Sequence, residues 1–350
     1  MQFRRFIKLL LIIPQYLTYL YYFCLLLNKS VFKMKKLILV LFSCFCIHSL
    51  KAQSIKFELS DYTILAKKPI GALHGISGIE YISSKNQWHL ASDRGNYFIF
   101  DSIYNIRDFE KRQDIAIAKK TGYWFEAIRF DPRYSTFLYA VENEYKPNKD
   151  TNDTTTYVGY YDSFPPAYLI PPMHLPADNK GIEAIAVTDS GTVWIAPESG
   201  WQGETEVGND TIHFWKFNRK NSGYGEAIPY SYIIDRSGCP LSVTEKRGGI
   251  SEILAVNENQ LLVLERCFDE KASKKIKAKL WQVTVEGSTL KKDSAPAFDF
   301  NDNFPFVVDN LEGMSWWPVE TGKRQILLVT DDNPGLNNNQ RTQLILLKEK

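Results

Sequence analysis

The first 53 of the 350 residues contain no Asp and no Glu. They hold eight cations: Arg4, Arg5, Lys8, Lys29, Lys33, Lys35, Lys36 and Lys51. A stretch this one-sided is not part of a balanced globular surface. Within it, "MKKLILVLFSCFCIHSLKAQ" (Met34 to Gln53) has a charged start, an apolar run too short to span a bilayer, and small Ala52 before a cut. That is the layout of a secretory signal peptide, although Leu50 departs from it. The upstream run "FIKLLLIIPQYLTYLYYFCLLL" has the length of a membrane helix, but Lys8 and Pro14 interrupt it. The expectation is that residues 1–33 are a mis-assigned extension with Met34 as the true start, and that 34–53 is a signal peptide. Residues 54–350 are then one exported domain, periplasmic or secreted, with no stable membrane span.

The remainder lacks other things. The 42 Lys and Arg fall to 34 once those eight are set aside, against 40 Asp and Glu, so the rest carries −6. No basic face dominates, which excludes nucleic acid as a partner. There is no Gly-x-Ser-x-Gly elbow, no His-Glu-x-x-His and no Walker loop, so those hydrolase and nucleotide-binding chemistries have no anchor. Of five cysteines, Cys24, Cys44 and Cys46 fall in the leader, and "VLFSC" at Cys44 is only a weak lipoprotein box. Cys239 and Cys267 remain. In an exported domain two cysteines suggest one disulfide, with two free thiols as the alternative. Long helical stretches are also missing.

What the chain has instead is repetition. "HGISGIEYISSKNQWHLASDRG" from His74 has four relatives: "YWFEAIRFDPRYSTFLYAVENEY" from Tyr123, "NKGIEAIAVTDSGTVWIAPESG" from Asn179, "GGISEILAVNENQLLVLERCF" from Gly248 and "DNLEGMSWWPVETGKRQILLVTDDN" from Asp309. Each pairs two short apolar runs across a turn, the pattern of β-strands. A third run rich in aromatic and β-branched residues follows each pair, and a poorer fourth run ("FEKRQDIAIA", "AYLIPPMHLP", "PYSYIID", "APAFDF") follows the first four. The fifth repeat has no fourth run of its own, but "IKFELSDYTILA" (Ile55–Ala66) is spare. The expected architecture is an all-β, five-bladed β-propeller, a ring closed by the N-terminal strand. A sixth, degenerate blade between 184 and 250 is the alternative.

Aligned on their first strands, the repeats place Ser77, Glu126, Glu183, Ser251 and Glu312 in one column. In a propeller that column rings the central channel. Three carboxylates meeting with no counter-ion repel one another or require a cation. Oxygen donors from several directions, without His or Cys, suit Ca²⁺. The alternative is a wet channel with water or Lys180 in compensation. The ends of the second strands give a second acidic column, Asp93, Glu142, Glu198, Glu265 and Asp331, at the same mouth. Glu142, Glu198, Glu265 and Asp331 are the candidate catalytic residues, to hold a second ion or an attacking water. His74, Arg94, Lys180, Arg247 and Arg266 are candidates to hold a phosphorylated substrate. Tyr123, Trp124 and Trp201 form an aromatic rim suited to sugars. Cys239 and Cys267 fall on this face too, which favours the disulfide.

At these residues the chain resembles the phytase-like domain family, "esterase-like activity of phytase", over about residues 70–348. "GISGIEY…LASDRG", "KGIEAIAV…TVWIAPESG", "EILAV…LLVLERCF" and "NLEGMSWW…LLVTDDN" carry the likeness. It implies an exported propeller and calcium-supported phosphoester or ester hydrolysis. The alternation of Ser77, Glu126, Glu183, Ser251 and Glu312 is also similar to the central calcium site of calcium-dependent apyrases, which are five-bladed. Two functions are therefore expected in competition. One is a monomeric calcium-dependent hydrolase of a small anionic substrate. The other is a non-catalytic propeller with structural calcium that binds a glycan or protein at its mouth.

Overall fold

A computed structural model describes residues 54–65, 73–93, 95–111, 116–119, 123–144, 157–160, 168–169, 181–201, 204, 210–221, 223–239, 248–268, 276–319, 322–333 and 340–350. The chain divides into residues 1–53 and 54–350. The leader expectations lie outside the described residues, and so do Arg94, Lys180 and Arg247. Among the described residues no helix is long and apolar enough to cross a membrane.

Residues 54–350 are all-β, in antiparallel units of four strands. β1 (Phe57–Ile64) is set aside for the last unit. The first unit is β2 (Ile76–Ile82), β3 (Gln87–Ser92), β4 (Asn96–Asp101) and β5 (Ala116–Lys119). The second is β6 (Tyr123–Asp131), β7 (Thr136–Glu144), β8 (Tyr157–Tyr160) and β9 (Tyr168–Leu169). The third is β10 (Ile182–Val187), β11 (Val193–Pro197), β12 (Thr211–Lys220) and β13 (Gly223–Ile233). The fourth is β14 (Gly249–Asn257), β15 (Gln260–Phe268), β16 (Ile276–Glu286) and β17 (Thr289–Lys292). A short parallel contact, Ser231 opposite Thr289, joins the outer strands of the third and fourth units. The last sheet runs β19 (Asn310–Trp317), β20 (Gln325–Asp331), β21 (Gln343–Glu349) and then β1, which pairs antiparallel with β21 from Phe57 opposite Glu349 to Ile64 opposite Gln343.

Two details depart from the sequence reading. "FEK" in "FEKRQDIAIA" is a helical turn, α1 (Asp108–Lys111), and only Ala116–Lys119 is strand. In the fourth unit "STLKK", not "APAFDF", supplies the fourth strand. Gly287 at φ 62° turns the chain straight from β16 into β17, a conformation an L side chain resists. Phe298–Asp299 forms the short β18 on the other half of β16, opposite Lys279 and Leu280. β16 is long enough for both, so the two candidates share it.

Each sheet is apolar on two faces and needs two neighbours. The described core accordingly falls into five clusters, one between each pair of consecutive units. Ile82, Phe125, Ile128 and Tyr139 join the first and second, and Ala127, Leu138, Ile185 and Trp215 the second and third. Trp194, Phe214, Ile253 and Val263 join the third and fourth, and Leu264, Leu280, Leu311 and Ile345 the fourth and fifth. Ile79, Trp88, Leu327 and Leu344 join the fifth back to the first. The first strands follow the same cycle: β2 packs on β6, β6 on β10, β10 on β14, β14 on β19 and β19 on β2. Between them lies Arg129, 2% exposed, which donates to the carbonyls of Ile79 (3.2 Å), Ile128 (2.7 Å) and Ile253 (2.8 Å). Its guanidinium pairs with Glu252 (2.8 Å) and lies 3.6 Å from Glu80. One side chain thus ties three units together near the axis.

β1 carries Phe57, 2% exposed in the cluster between the fourth and fifth units. Phe57→Ala is expected to cost about 3–5 kcal/mol by cavity formation. Deletion of residues 54–64 is expected to cause aggregation, because β21 becomes an open edge. Denaturant melts and light scattering check both; a deletion variant that melts like the parent would disprove the role given to β1.

Candidate functional site

A polar residue in the middle of an apolar first strand has to leave the pleat. In each of the five units one does, by the same device. The β2–β3 register slips between Ile76 and Gly78, which leaves Ser77 as the extra residue. Glu126 is extra between Phe125 and Ala127, Glu183 between Ile182 and Ala184, Ser251 between Ile250 and Glu252, and Glu312 between Leu311 and Gly313. These are β-bulges, which set two residues against one and re-aim a side chain. All five residues of the sequence column occupy the bulge.

In the third, fourth and fifth units the end of the second strand meets the start of the next unit. Ile250 N donates to the Glu198 carbonyl at 2.7 Å, and a side chain on Gly249 would run into that same oxygen. Arg266 donates to Asn310 Oδ1 (2.6 Å) and Glu312 Oε1 (2.7 Å). Asp332 accepts from Gly75 N (3.0 Å) and pairs with His74 Nδ1 (2.6 Å). Ser77 Oγ donates to the Phe125 carbonyl.

The register corrects the second column. Gly249 faces Arg266 as Asn310 faces Asp331, and the amides of Asp93 and Glu198 bond the carbonyls of Gly75 and Gly181 in the same way. The fourth unit therefore presents Arg266 at this place, not Glu265. Glu265 points to the other side of the strand, since neighbours alternate. There it is 4% exposed and accepts from Tyr232 Oη (2.7 Å), Lys292 Nζ (2.6 Å) and Asp235 N (3.2 Å). It binds sheets together and does not reach the mouth. The acid at the end of the run misled the alignment. Counting would have corrected it, because Arg266 follows Ser251 by the same 15 residues that separate Glu198 from Glu183.

Among the described residues Arg266 is the cation paired with a member of the first column. Burial would lower its pKa, but Glu312, Glu198 and Glu183 outweigh that and hold it firmly charged. One guanidinium does not balance the acids around it. Burial raises Glu312 to about 8 against the pull of Arg266, and Asp331 and Glu198 add to the rise. Burial and Asp93, with Asp332 behind, raise Asp331 to about 7. Asp332 escaped the sequence reading, although the doubled acid in "VTDDN" marks it.

The other expected residues divide as follows. Glu183 and Ser251 are buried, at 6% and 0% exposure. Ser251 Oγ has no hydrogen-bond partner. Glu126 is half-buried in β6, while Glu142 has only its backbone described, in β7. Trp201 is no part of a rim: it is wholly buried, with Nε1 donating to the His213 carbonyl at 2.9 Å. Cys239 and Cys267 form a disulfide with 5.9 Å between Cα atoms. It lies against Gly248, which takes φ 105° and has no room for a Cβ beside Cys267.

Among the described residues no three His, Cys, Asp or Glu side chains are grouped as a ready metal centre. The donor chemistry nevertheless suits a hard cation: the acids exceed the one guanidinium, all the donors are oxygen, and a buried hydroxyl stands unpartnered.

The family model described as "Phytase-like: Esterase-like activity of phytase" matches residues 71–334. The chain belongs to the phytase-like family. No match is found among curated proteins. Among solved structures this phytase-like chain is similar to a family-43 β-1,3-galactosidase crystallised with galactodeoxynojirimycin, at 10% identity and TM-score 0.46, over 82% of this chain and 93% of the other. It is also similar to a thermostable family-43 glycoside hydrolase, at 12% identity and TM-score 0.43 over 81% and 95%. A luciferin-regenerating enzyme matches at 6% identity and TM-score 0.42 over 83% and 95%.

Carboxyl groups with raised pKa values stabilise the fold most when protonated. Their contribution is complete below the unfolded values of about 4 and is lost as pH rises through about 7 (Asp331) and about 8 (Glu312 and Glu252). His89, lowered to about 4 by burial, acts in the opposite sense but only between pH 4 and about 6.5. In chelator-containing buffer the Tm is expected to fall from pH 6.5 to 9, and Glu312→Gln to shrink that fall. A flat profile for the parent would refute the electrostatic reading.

Proposed function

We propose that residues 54–350 form a five-bladed β-propeller closed by β1, and that its acidic mouth is the site of a calcium-dependent phosphoester or ester hydrolase. The observation that carries this is the set of five bulges, which deliver three carboxylates and two hydroxyls in register beside Arg266. Family membership supports hydrolysis of an ester. The domain is read as exported and monomeric, and the disulfide suits an oxidising compartment.

The charge balance makes the cation necessary to this reading. A mouth that holds Glu183, Glu198, Glu312 and Asp331 against one described guanidinium repels an anionic ester once Asp331 and Glu312 ionise, above about 7 and about 8. Ser77, Glu126, Glu183, Ser251 and Glu312 would hold Ca²⁺, which takes about 6–8 oxygens. When bound it would supply Lewis-acid polarisation of the ester oxygen. The protein's own part is to orient water and move a proton. Asp331, raised to about 7, is poised near neutral pH, where proton exchange is most effective. Glu198 and Glu142 are the further carboxylates assigned to hold the water. Glu265 takes no part. His74, Arg94, Lys180 and Arg247 remain candidates for the substrate's anionic group, with His74 oriented by Asp332.

A second reading is favoured by one observation. Arg266 is already bonded on both sides of its fork, to Asn310 and Glu312, as a structural counter-ion would be. On that reading the propeller is non-catalytic, and the mouth binds a glycan or protein.

Calcium is expected to raise the Tm after chelation, by an amount equivalent to about 2.7 kcal/mol at a hundredfold excess over Kd. Glu183→Gln should weaken that response. With p-nitrophenyl phosphate or acetate as substrate, turnover should require calcium, and Asp331→Asn should lower kcat by about 10²–10⁴-fold. Turnover of neither ester, with a normal calcium-dependent Tm, would select the second reading; no calcium effect of any kind would sink both.

A further inference from the structure

The residues that would hold an ion at this mouth are not all free to do so. Glu312 Oε1 accepts from Arg266 Nη2 at 2.7 Å and from Asn310 Nδ2 at 2.6 Å. Asn310 Oδ1 accepts from Arg266 Nη1 at 2.6 Å, which closes a three-membered network. Arg266 reaches this network from the fourth unit, because the register gives it the place that Asp93, Glu198 and Asp331 hold in their own units. Its charge also interacts with Glu198 and Glu183. The guanidinium therefore lies against Glu312, where a cation ligated by Glu312 would lie.

Two further observations show that this arrangement is incomplete. Ser251 Oγ, 0% exposed and carried into the same column by its bulge, has no partner, and no described group of the guanidinium satisfies it. Arg266 Nε is also buried without an acceptor. An unpartnered buried polar atom is costly, so both atoms favour a second state in which oxygen donors find an ion and the guanidinium turns elsewhere.

We propose that Arg266 is a built-in competitor for the cation site: guanidinium and divalent ion are alternative partners of Glu312, and calcium enters by displacing Arg266. This rests on the calcium reading above and adds its regulation. Calcium affinity is then set by how firmly Asn310 and Glu312 hold Arg266, and not by the ring ligands alone.

Isothermal titration of the chelator-stripped domain with CaCl₂ tests this. Arg266→Gln is expected to bind calcium about tenfold tighter or more, the factor of one charge-assisted hydrogen bond that no longer has to break. Asn310→Ala, which keeps the charge but loosens its hold, should also bind more tightly, by a smaller factor. Arg341→Gln removes a cation that pairs with Asp309 at 2.9 Å, outside the network of Arg266, Asn310 and Glu312, and it should leave affinity within about twofold. Circular dichroism monitors folding; if Arg266→Gln does not fold, Asn310→Ala decides. Calcium bound by Arg266→Gln but not by the parent would support the proposal in its strongest form. Equal or weaker binding by both mouth variants would overturn it while calcium binding itself stands. An equal gain in Arg341→Gln would also overturn it, by assigning the effect to general charge. Binding by none of the proteins would overturn the competitor and the calcium reading together.

Discussion

A strand that packs on neighbours at both faces has no side left for a polar group. The first strands of this protein meet that constraint five times, and five times an extra residue resolves it. The bulge lifts Ser77, Glu126, Glu183, Ser251 or Glu312 out of the pleat while the residues around it keep their apolar contacts. Everything at the mouth depends on this. Without the slip, the carboxylates would lie in the clusters between sheets, where an uncompensated charge is not tolerated. With it, the same strands serve as core and carry the polar column.

Elsewhere on the first strands the charge logic reverses. Arg129 is almost fully enclosed and donates to carbonyls from three units, with Glu252 and Glu80 beside it. A buried ion pair of this kind adds little net stability, yet removal of one partner is costly, because it strands the other charge. Arg129 and Arg266 thus both bond to first strands of other units. Arg129 has three carbonyl partners and is locked. Arg266 is held by two side chains, Asn310 and Glu312, which can turn away from it as backbone carbonyls cannot. The difference lies in their surroundings, not in the residue type.

Much of this was legible in the sequence, because repetition is a strong signal. The five "ISGI"-like segments fix the units, and the polar column emerges from their alignment without any structural input. The N-terminal run was legible as a spare strand by elimination. Other parts were not. The replacement of an acid by Arg266 was hidden because "LERCF" ends in a plausible acid, and one residue of slip on a strand reverses the face. The role of "STLKK" was hidden because four residues beside a two-residue turn carry little periodicity. Trp201 read as an exposed rim residue, since an indole in a Gly-rich loop gives no hint that its N–H will find the His213 carbonyl. Partners from different units are what single-strand patterns cannot encode, and both Arg266 and Asp332 act across such boundaries.

The pairing of β1 with β21 has a consequence for the order of folding. Gln343 Nε2 donates to Tyr62 Oη, a contact between residues 281 positions apart. β1 is synthesised before the other strands of the domain, but its partner emerges after all four preceding units. Hairpins such as β12–β13 and β15–β16 are local and form quickly, whereas the last sheet must gather both ends of the domain, a long loop to close. The first strand of the domain to be made is therefore the last to be seated. Until then it travels as an unpaired strand with Phe57 unburied, and it is in this interval, rather than in the folded domain, that the chain is most open to mispairing with another copy of itself.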